Sequence, residues 1–175
     1  MHGPIPTIHA LLDKIRIVRD EADLNAVLEA LKPSSIRGPV RVAFVNAHAM
    51  NLCHTDSAFL SRLLECDYVF RDGAGMKILY KLMGRDPGLN MNGTDFIPKI
   101  LELYKGQTAA LFGTDSPYLD HAAEKISALG VKPIHVINGF HEAGIYVSRL
   151  KENPASLTIL AMGMPKQEHV AALIA

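Results

Sequence analysis

The chain has 175 residues, 49% of them apolar, and its 18 basic residues balance 18 acidic ones, so the formal net charge is zero. That length fits one domain with a small N-terminal addition, and the apolar content can build a sizeable core. No basic excess marks a broad nucleic-acid surface, so we expect no nucleic-acid partner. We find neither an apolar signal core nor a run of membrane-spanning length. The two cysteines, Cys53 and Cys66, are too few for a disulfide framework or a zinc site, and we expect a cytoplasmic protein.

Residues 1–39 are predicted to form a helical preface. The apolar spacing at 7–12 and 22–28 predicts two helices, and the proline and glycine residues at 32–35 and 38–39 then interrupt the chain. The main domain is therefore predicted over residues 40–175.

From residue 40 onward, predicted strands and helices alternate. Strands are predicted at 40–45, 68–70, 108–112, 133–137 and 157–161, and helices at 47–65, 75–82, 95–104, 117–129, 142–151 and from 165 to the end. We expect Thr94 to be the N-cap of the helix at 95–104 and Gly130 to stop the helix at 117–129. The alternation predicts a Rossmann-like α/β fold, a mostly parallel sheet flanked by helices. Because the last predicted helix reaches residue 175, a naturally short chain and a C-terminal truncation both stay open.

A polar turn follows the strand predicted at 68–70, at the sheet edge where open α/β sheets bind ligands. Asp72 ends this strand, and Gly73 and Gly75 let a ligand approach the N–H groups at the start of the next helix. The Asp72 carboxylate is either a general base for an attacking hydroxyl or a cap for that helix.

Other turns have the same two interpretations. Asn46 either binds a sugar or pyrophosphate or caps a helix, and Asp95, after Gly93, either orients a ligand or begins one. Gly113 ends another strand in what resembles a phosphate-binding turn, although no Walker motif follows.

The turn after the last predicted strand is the most specific of these stretches. Gly163 allows close approach, Lys166 suits a phosphate, and Gln167 suits a base or a sugar hydroxyl. The alternative is an ordinary charged first turn of a helix. The eight histidines follow no metal-binding spacing, so we expect no metal and no other cofactor.

Taken in chain order, these motifs resemble the WecG/TagA/CpsF family of glycosyltransferases over about residues 40–175. The matching motifs are Asn46-Ala47, Asp67 before Asp72-Gly73-x-Gly75, Gly93-Thr94-Asp95, Leu111-Phe112-Gly113, Gly139-Phe140 and Gly163-x-Pro165-Lys166-Gln167-Glu168. Two positions depart from the family pattern. Phe44 stands where the family usually has threonine, and Asn90 stands where it usually has an arginine suited to a diphosphate.

The resemblance implies an inverting, metal-independent glycosyltransferase. Such enzymes move a sugar, often of the N-acetylmannosamine type or a related hexose or uronate, from a UDP-sugar to a polyprenyl-diphosphate-linked sugar. They act in the synthesis of teichoic acid linkages, enterobacterial common antigen and capsular or exopolysaccharides. The implied location is the inner face of the cell membrane, with peripheral membrane association and self-association left open.

The resemblance also assigns roles to individual residues. Asp72 matches the general base, and Asn46 and Gln167 match polar residues of the donor pocket. We expect the other candidates to bind substrate as well: Gly73, Gly75, Asn90, Gly93, Asp95, Gly113, Gly163 and Lys166. Two alternatives stay open, namely a degenerate member that binds a nucleotide or partner without turnover, and an unrelated nucleotide-binding α/β enzyme.

Overall fold

The computed structural model of the protein describes residues 7–175. Over the described residues the chain divides into two compact units, the first holding residues 7–27 together with Gly38–Phe96, and the second holding Leu28–Arg37 and Ile97–Ala175. Each unit contains one parallel sheet with helices packed around it. The α/β class predicted from the sequence is confirmed, whereas the domain boundary at residue 39 stays a prediction. Residues 1–6 of the predicted preface lie outside the described residues.

The helices and strands follow the predicted order, with small shifts at their ends. Over residues 7–175 they are α1 (Ile8–Lys14), α2 (Glu21–Ala30), β1 (Val42–Val45), α3 (Ala47–Thr55), α4 (Ser57–Leu64), β2 (Tyr68–Arg71), α5 (Gly73–Leu82), α6 (Gly93–Leu103), β3 (Thr108–Gly113), α7 (Tyr118–Ala128), β4 (Lys132–Asn138), α8 (Ala143–Glu152), β5 (Leu157–Leu160) and α9 (Lys166–Ile174).

Capping side chains explain two differences from the prediction. The helix predicted at 47–65 is two helices, because Asp56 ends α3 and accepts a hydrogen bond from the Phe59 N–H at 2.8 Å to begin α4. The N-cap predicted at Thr94 is wrong, since Asn92 accepts from the Asp95 N–H at 2.9 Å and α6 already begins at Gly93. Asparagine is the stronger N-cap of the two residue types.

The helix stop predicted at Gly130 is confirmed. α7 ends at Ala128, and Gly130 follows with a φ of +85°. A residue in this left-handed region is the usual end of a helix, and glycine adopts the conformation without steric cost.

The sheet of the first unit pairs β1 with β2 in parallel, in a register that runs from Val42 opposite Tyr68 to Val45 opposite Arg71. Phe44 lies in an aromatic cluster, with its ring centroid 6.2 Å from that of Phe70 and 6.0 Å from that of Phe96. The Phe44 side chain, which departs from the family pattern, therefore contributes apolar packing to this unit.

The sheet of the second unit has the parallel order β4-β3-β5, so β3 is its central strand. Successive side chains of a strand point to opposite faces. Ala109 and Leu111 accordingly join one buried cluster, and Ala110 and Phe112 join another that includes Tyr146. This two-sided burial explains why the β3 sequence is a continuous apolar run. Among residues 7–175, no helix combines the length and the apolar character that crossing a bilayer requires.

Candidate active site

Asn46 and Asp72 lie at neighbouring strand ends in the first unit. Each follows one member of the last β1–β2 pair, and the Asp72 N–H donates to the Val45 carbonyl at 2.8 Å. The first turns of α3 and α5 approach closely here, because a Cβ placed on Gly75 would lie only 2.9 Å from the Ala47 Cβ. The structure therefore brings the Asn46-Ala47 motif and the Asp72-Gly73-x-Gly75 motif together at the carboxyl edge of this sheet.

The Asp72 carboxylate does not cap the helix that it precedes. Asp72 occupies the N-cap position of α5 with an extended backbone (φ −119°), yet its side chain makes no capping hydrogen bond. The Gly73 N–H donates instead to Oδ1 of Asn90, at 2.8 Å. Of the two interpretations of Asp72, the cap is not formed, and the half-buried carboxylate is available to another group.

Burial raises the pKa of the Asp72 carboxyl above its ordinary value, and the positive charge of Arg71 opposes that rise. A raised carboxyl pKa makes the carboxylate a stronger proton acceptor, which suits a general base.

Arg71 belongs to this site although the sequence analysis did not select it. Its side chain is only 2% exposed, and it donates Nε to the Pro87 carbonyl at 2.7 Å and Nη1 to the Gly73 carbonyl at 3.0 Å. Nη2 donates to the carbonyls of Gly88 at 3.3 Å and Leu89 at 2.8 Å. The sequence feature that could have indicated Arg71 is a basic residue at the end of an apolar strand, because a charged side chain that is buried there needs hydrogen-bond acceptors.

Asn46 and Asp95 are both used in starting helices. Oδ1 of Asn46 accepts from the Ala49 N–H at 3.0 Å, which is the capping interpretation of this residue. Nδ2 of Asn92 donates to Oδ2 of Asp95 at 2.7 Å, in addition to the cap that Asn92 provides to α6. Substrate roles for Asn46, Asp95 and Gly93 stay predictions.

Glycines close the strand ends of the second unit. Gly113 is the last residue of β3, and Gly139 follows β4. A Cβ on Gly139 would lie 2.6 Å from both the Gly113 carbonyl oxygen and the Met162 Cβ, so this position accepts only glycine without movement. Gly163, after β5, has a φ of +80°, a conformation that L side chains rarely adopt. The turns after all three strands are thus held in a close arrangement.

The Lys166 ammonium is engaged within the protein. Nζ donates to the carbonyls of Gly139 and His141, each at 2.7 Å, and lies 5.8 Å from the centroid of the Tyr146 ring. Lys166 therefore fastens the turn after β4 to the start of α9. The phosphate contact expected of it stays a prediction, open to the third N–H of the ammonium group.

Tyr146 supports the same turn from within the core. Its hydroxyl donates to the Asn138 carbonyl at 2.8 Å and accepts from the His141 N–H at 3.1 Å. Gln167, which follows Lys166 in the chain, is half-buried, and its Nε2 donates to Oε1 of Glu168 at 3.0 Å.

The candidate residues thus form two groups, each within one unit. The first group contains Asn46, Asp72, Gly73, Gly75, Asn90, Gly93 and Asp95, and the second contains Gly113, Gly163, Lys166 and Gln167. Within the part of the chain that the structure describes, no group of three or more His, Cys, Asp or Glu side chains could hold a metal ion.

Parallel strands flanked by helices, with glycine-containing and polar turns at their carboxyl ends, define a Rossmann-like α/β protein. Open α/β sheets generally bind ligands at such turns. The chain belongs to the WecG/TagA/CpsF family of glycosyl transferases, whose family model matches residues 13–174. The resemblance inferred from the motifs is thereby confirmed, and the match also includes part of the region before residue 40. Membership supports a glycosyltransferase role in cell-surface polysaccharide synthesis, with a sugar donor and an acceptor as substrates. No curated protein sequence matched the chain.

Proposed function

We propose that this protein is an inverting glycosyltransferase that moves a sugar of the N-acetylmannosamine type, or a related hexose or uronate, from a UDP-sugar to a polyprenyl-diphosphate-linked sugar. It works in the cytoplasm at the inner face of the cell membrane, as a peripheral protein. The observation that carries the proposal is the Asp72 carboxylate. It stands at a helix N-cap position without capping, half-buried, with its pKa raised by burial.

The proposed reaction is a single displacement. Asp72 takes the proton from the acceptor hydroxyl while that oxygen forms a bond to the anomeric carbon of the donor sugar. The bond from this carbon to the diphosphate oxygen breaks, and UDP leaves with the electron pair. Attack from the face opposite the leaving group inverts the anomeric configuration, and no covalent sugar–enzyme intermediate is formed. One carboxylate acting as base is sufficient for this chemistry.

The donor diphosphate is assigned to the second group of residues. Charge develops on the leaving diphosphate, and backbone N–H groups and cations stabilise it. Gly113 and Gly163 remove side chains from the turns that would receive the donor, and Lys166 keeps an ammonium beside the turn after β4. Gln167 is proposed to bind the nucleotide or its sugar. Asn46 is proposed to bind the donor through its side-chain amide nitrogen, because only its amide oxygen is used in capping α3.

Asp72→Asn tests the assignment of the base. We expect this variant to lose sugar transfer by about 10²–10⁴-fold, which is the usual contribution of a general base. UDP binding by calorimetry and the circular dichroism spectrum should stay at the parental level. Asp56→Asn is the matched control, because Asp56 is also an aspartate at an N-cap position but its carboxylate does cap a helix. Transfer by Asp72→Asn at the parental rate would overturn the assignment.

A second candidate function is nucleotide binding without turnover. Asn90 replaces a cation expected from the family pattern, and its amide oxygen is committed to the Gly73 N–H. Lys166 is likewise committed to two backbone carbonyls. Calorimetric titration with UDP and UDP-sugars, followed by transfer assays, separates the candidates. Binding of UDP with no transfer to any polyprenyl-diphosphate-linked acceptor would favour the non-catalytic function.

A further inference from the structure

Arg71 is a buried cation whose hydrogen-bond acceptors, among the described residues, are all backbone carbonyls. Its three nitrogens donate to the carbonyls of residues 73, 87, 88 and 89, and its side chain is 2% exposed. A buried guanidinium needs such acceptors, because an unpaired charge away from water is costly. Three of the four carbonyls belong to consecutive residues of the loop between α5 and α6. Arg71 therefore fixes the path of that loop next to the end of β2.

The same loop is held on its other side by residue 18. The Leu89 N–H donates to the Val18 carbonyl at 2.7 Å. Gly88 has a φ of +58°, and a Cβ there would lie 2.4 Å from the same carbonyl oxygen. The loop is thus fastened between Arg71 and Val18, directly before Asn90.

The fastened loop delivers the Asn90 amide to the start of α5. Oδ1 of Asn90 accepts the Gly73 N–H at 2.8 Å, and so satisfies one of the N–H groups that a helix start leaves without a partner. An aspartate at an N-cap position ordinarily turns its carboxylate onto the first turn of the helix. Asp72 makes no such bond. The Asn90 contact instead fixes the peptide group that joins Asp72 to Gly73, because the Gly73 N–H belongs to that group.

We propose that Arg71 is a positioning residue for sugar transfer: by binding the Gly73 carbonyl and holding the loop that carries Asn90, it fixes the backbone from which the Asp72 carboxylate meets the acceptor hydroxyl. This inference rests on the proposed function of Asp72. Arg71 itself makes no contact with substrate, since its side chain is buried and each of its three nitrogens donates to a backbone carbonyl.

Arg71→Gln tests the inference, because glutamine is uncharged and cannot reach all four carbonyls. We expect kcat to fall by about tenfold to a hundredfold, in line with the cost of a misplaced catalytic group. The KM for the UDP-sugar should stay within about twofold of the parental value, since Arg71 itself makes no contact with substrate. The Gly73 amide should exchange its hydrogen with solvent faster than in the parent, as measured by NMR, because its acceptor is no longer held in place.

Arg85→Gln is the matched control. Arg85 is another arginine of the loop between α5 and α6, but its side chain is 42% exposed and donates to Asp13 at 2.8 Å in a surface ion pair. Such pairs contribute little to stability. We expect parental kcat and parental Gly73 exchange in this variant.

The outcomes separate the inference from the function on which it rests. Parental kcat together with parental Gly73 exchange in Arg71→Gln overturns the positioning role and leaves the assignment of Asp72 intact. If the parent transfers no sugar, the proposed function fails, and unchanged Gly73 exchange still overturns the inference. If Arg71→Gln does not fold, Arg71→Lys replaces it, because lysine keeps the positive charge but cannot reach all four carbonyls. Unchanged Gly73 exchange in that variant overturns the inference equally.

Discussion

Replacing Gly139 with alanine should destabilise the protein, because the added methyl group has no room. The new Cβ would lie 2.6 Å from the Gly113 carbonyl oxygen and 2.6 Å from the Met162 Cβ. Ordinary contacts of such atoms begin near 3.4 Å, so the atoms must separate by nearly 1 Å on two sides. One obstacle is the backbone of the central strand, and the other is a Cβ attached directly to backbone. Neither can rotate away.

Overpacking of this kind costs about 1–3 kcal/mol, which lowers the Tm of a chain of this size by about 2–12 °C. Gly144→Ala is the control, since a Cβ on that exposed residue near the start of α8 meets no atom within 4 Å. There the change should raise stability by about 0.4–1 kcal/mol, because alanine restricts the unfolded chain and favours the helix.

Thermal unfolding of the parent and both variants, followed by calorimetry at equal protein concentration, measures the difference. Gly139→Ala should melt below the parent and Gly144→Ala at or above it. Equal melting temperatures for the two variants would refute the close arrangement of the strand ends in the second unit. A Gly139→Ala protein that melts at the parental temperature would do the same.

Three further predictions concern single side chains. Asp72→Asn removes a carboxyl whose pKa is raised by burial, and this removal should stabilise the fold at neutral pH. The folded parent binds the carboxyl proton more tightly than the unfolded chain does. The free energy of unfolding of the parent therefore falls as the pH rises from the ordinary pKa of 3.8 through the raised pKa. Urea unfolding should show that Asp72→Asn is more stable than the parent near neutral pH and that this difference disappears in acid. A stability difference that grows in acid would contradict the prediction. Asn46→Ala removes the acceptor of the Ala49 N–H and should cost about 0.5–2 kcal/mol in urea unfolding, whereas an unchanged midpoint would mean that the cap contributes nothing. Tyr146→Phe removes the donor to the Asn138 carbonyl inside the second unit and should cost about 1–3 kcal/mol, measured as a lower Tm, and a Tm at the parental value would show that the hydroxyl is dispensable.

The sequence predicts the strands because their signal is local. The run from Ala109 to Phe112 is apolar on both faces of β3, and a centrally placed parallel strand requires that pattern. The helix end at Gly130 is also predictable from local sequence, since a glycine that follows a segment of helical periodicity commonly ends a helix. The N-cap of α6 was misassigned because Asn92 and Thr94 are both acceptable caps, and only the observed hydrogen bond decides between them.

The site is harder to predict because its contacts join distant segments. The Gly73 N–H at the start of α5 is bound by the amide oxygen of Asn90, which lies 17 residues further along the chain. Lys166 looks like a phosphate ligand in sequence, yet its ammonium binds carbonyls that lie 25 and 27 residues away. The carbonyl partners of Arg71 likewise lie in a loop whose path no local pattern specifies. Sequence indicates which polar side chains stand at strand ends, and the fold decides which of them are already occupied.

The contact of Lys166 with the turn after β4 limits how this protein can be re-engineered. Phe140, 75% exposed, projects from a segment whose backbone is anchored by a residue of the last helix. If the segment around Phe140 were exchanged for that of a relative without the lysine at position 166, the segment would lose its anchor. The segment and the lysine are therefore best exchanged together. Substitution of Lys166 should accordingly displace the Phe140 ring, because the backbone on both sides of that ring loses its partner.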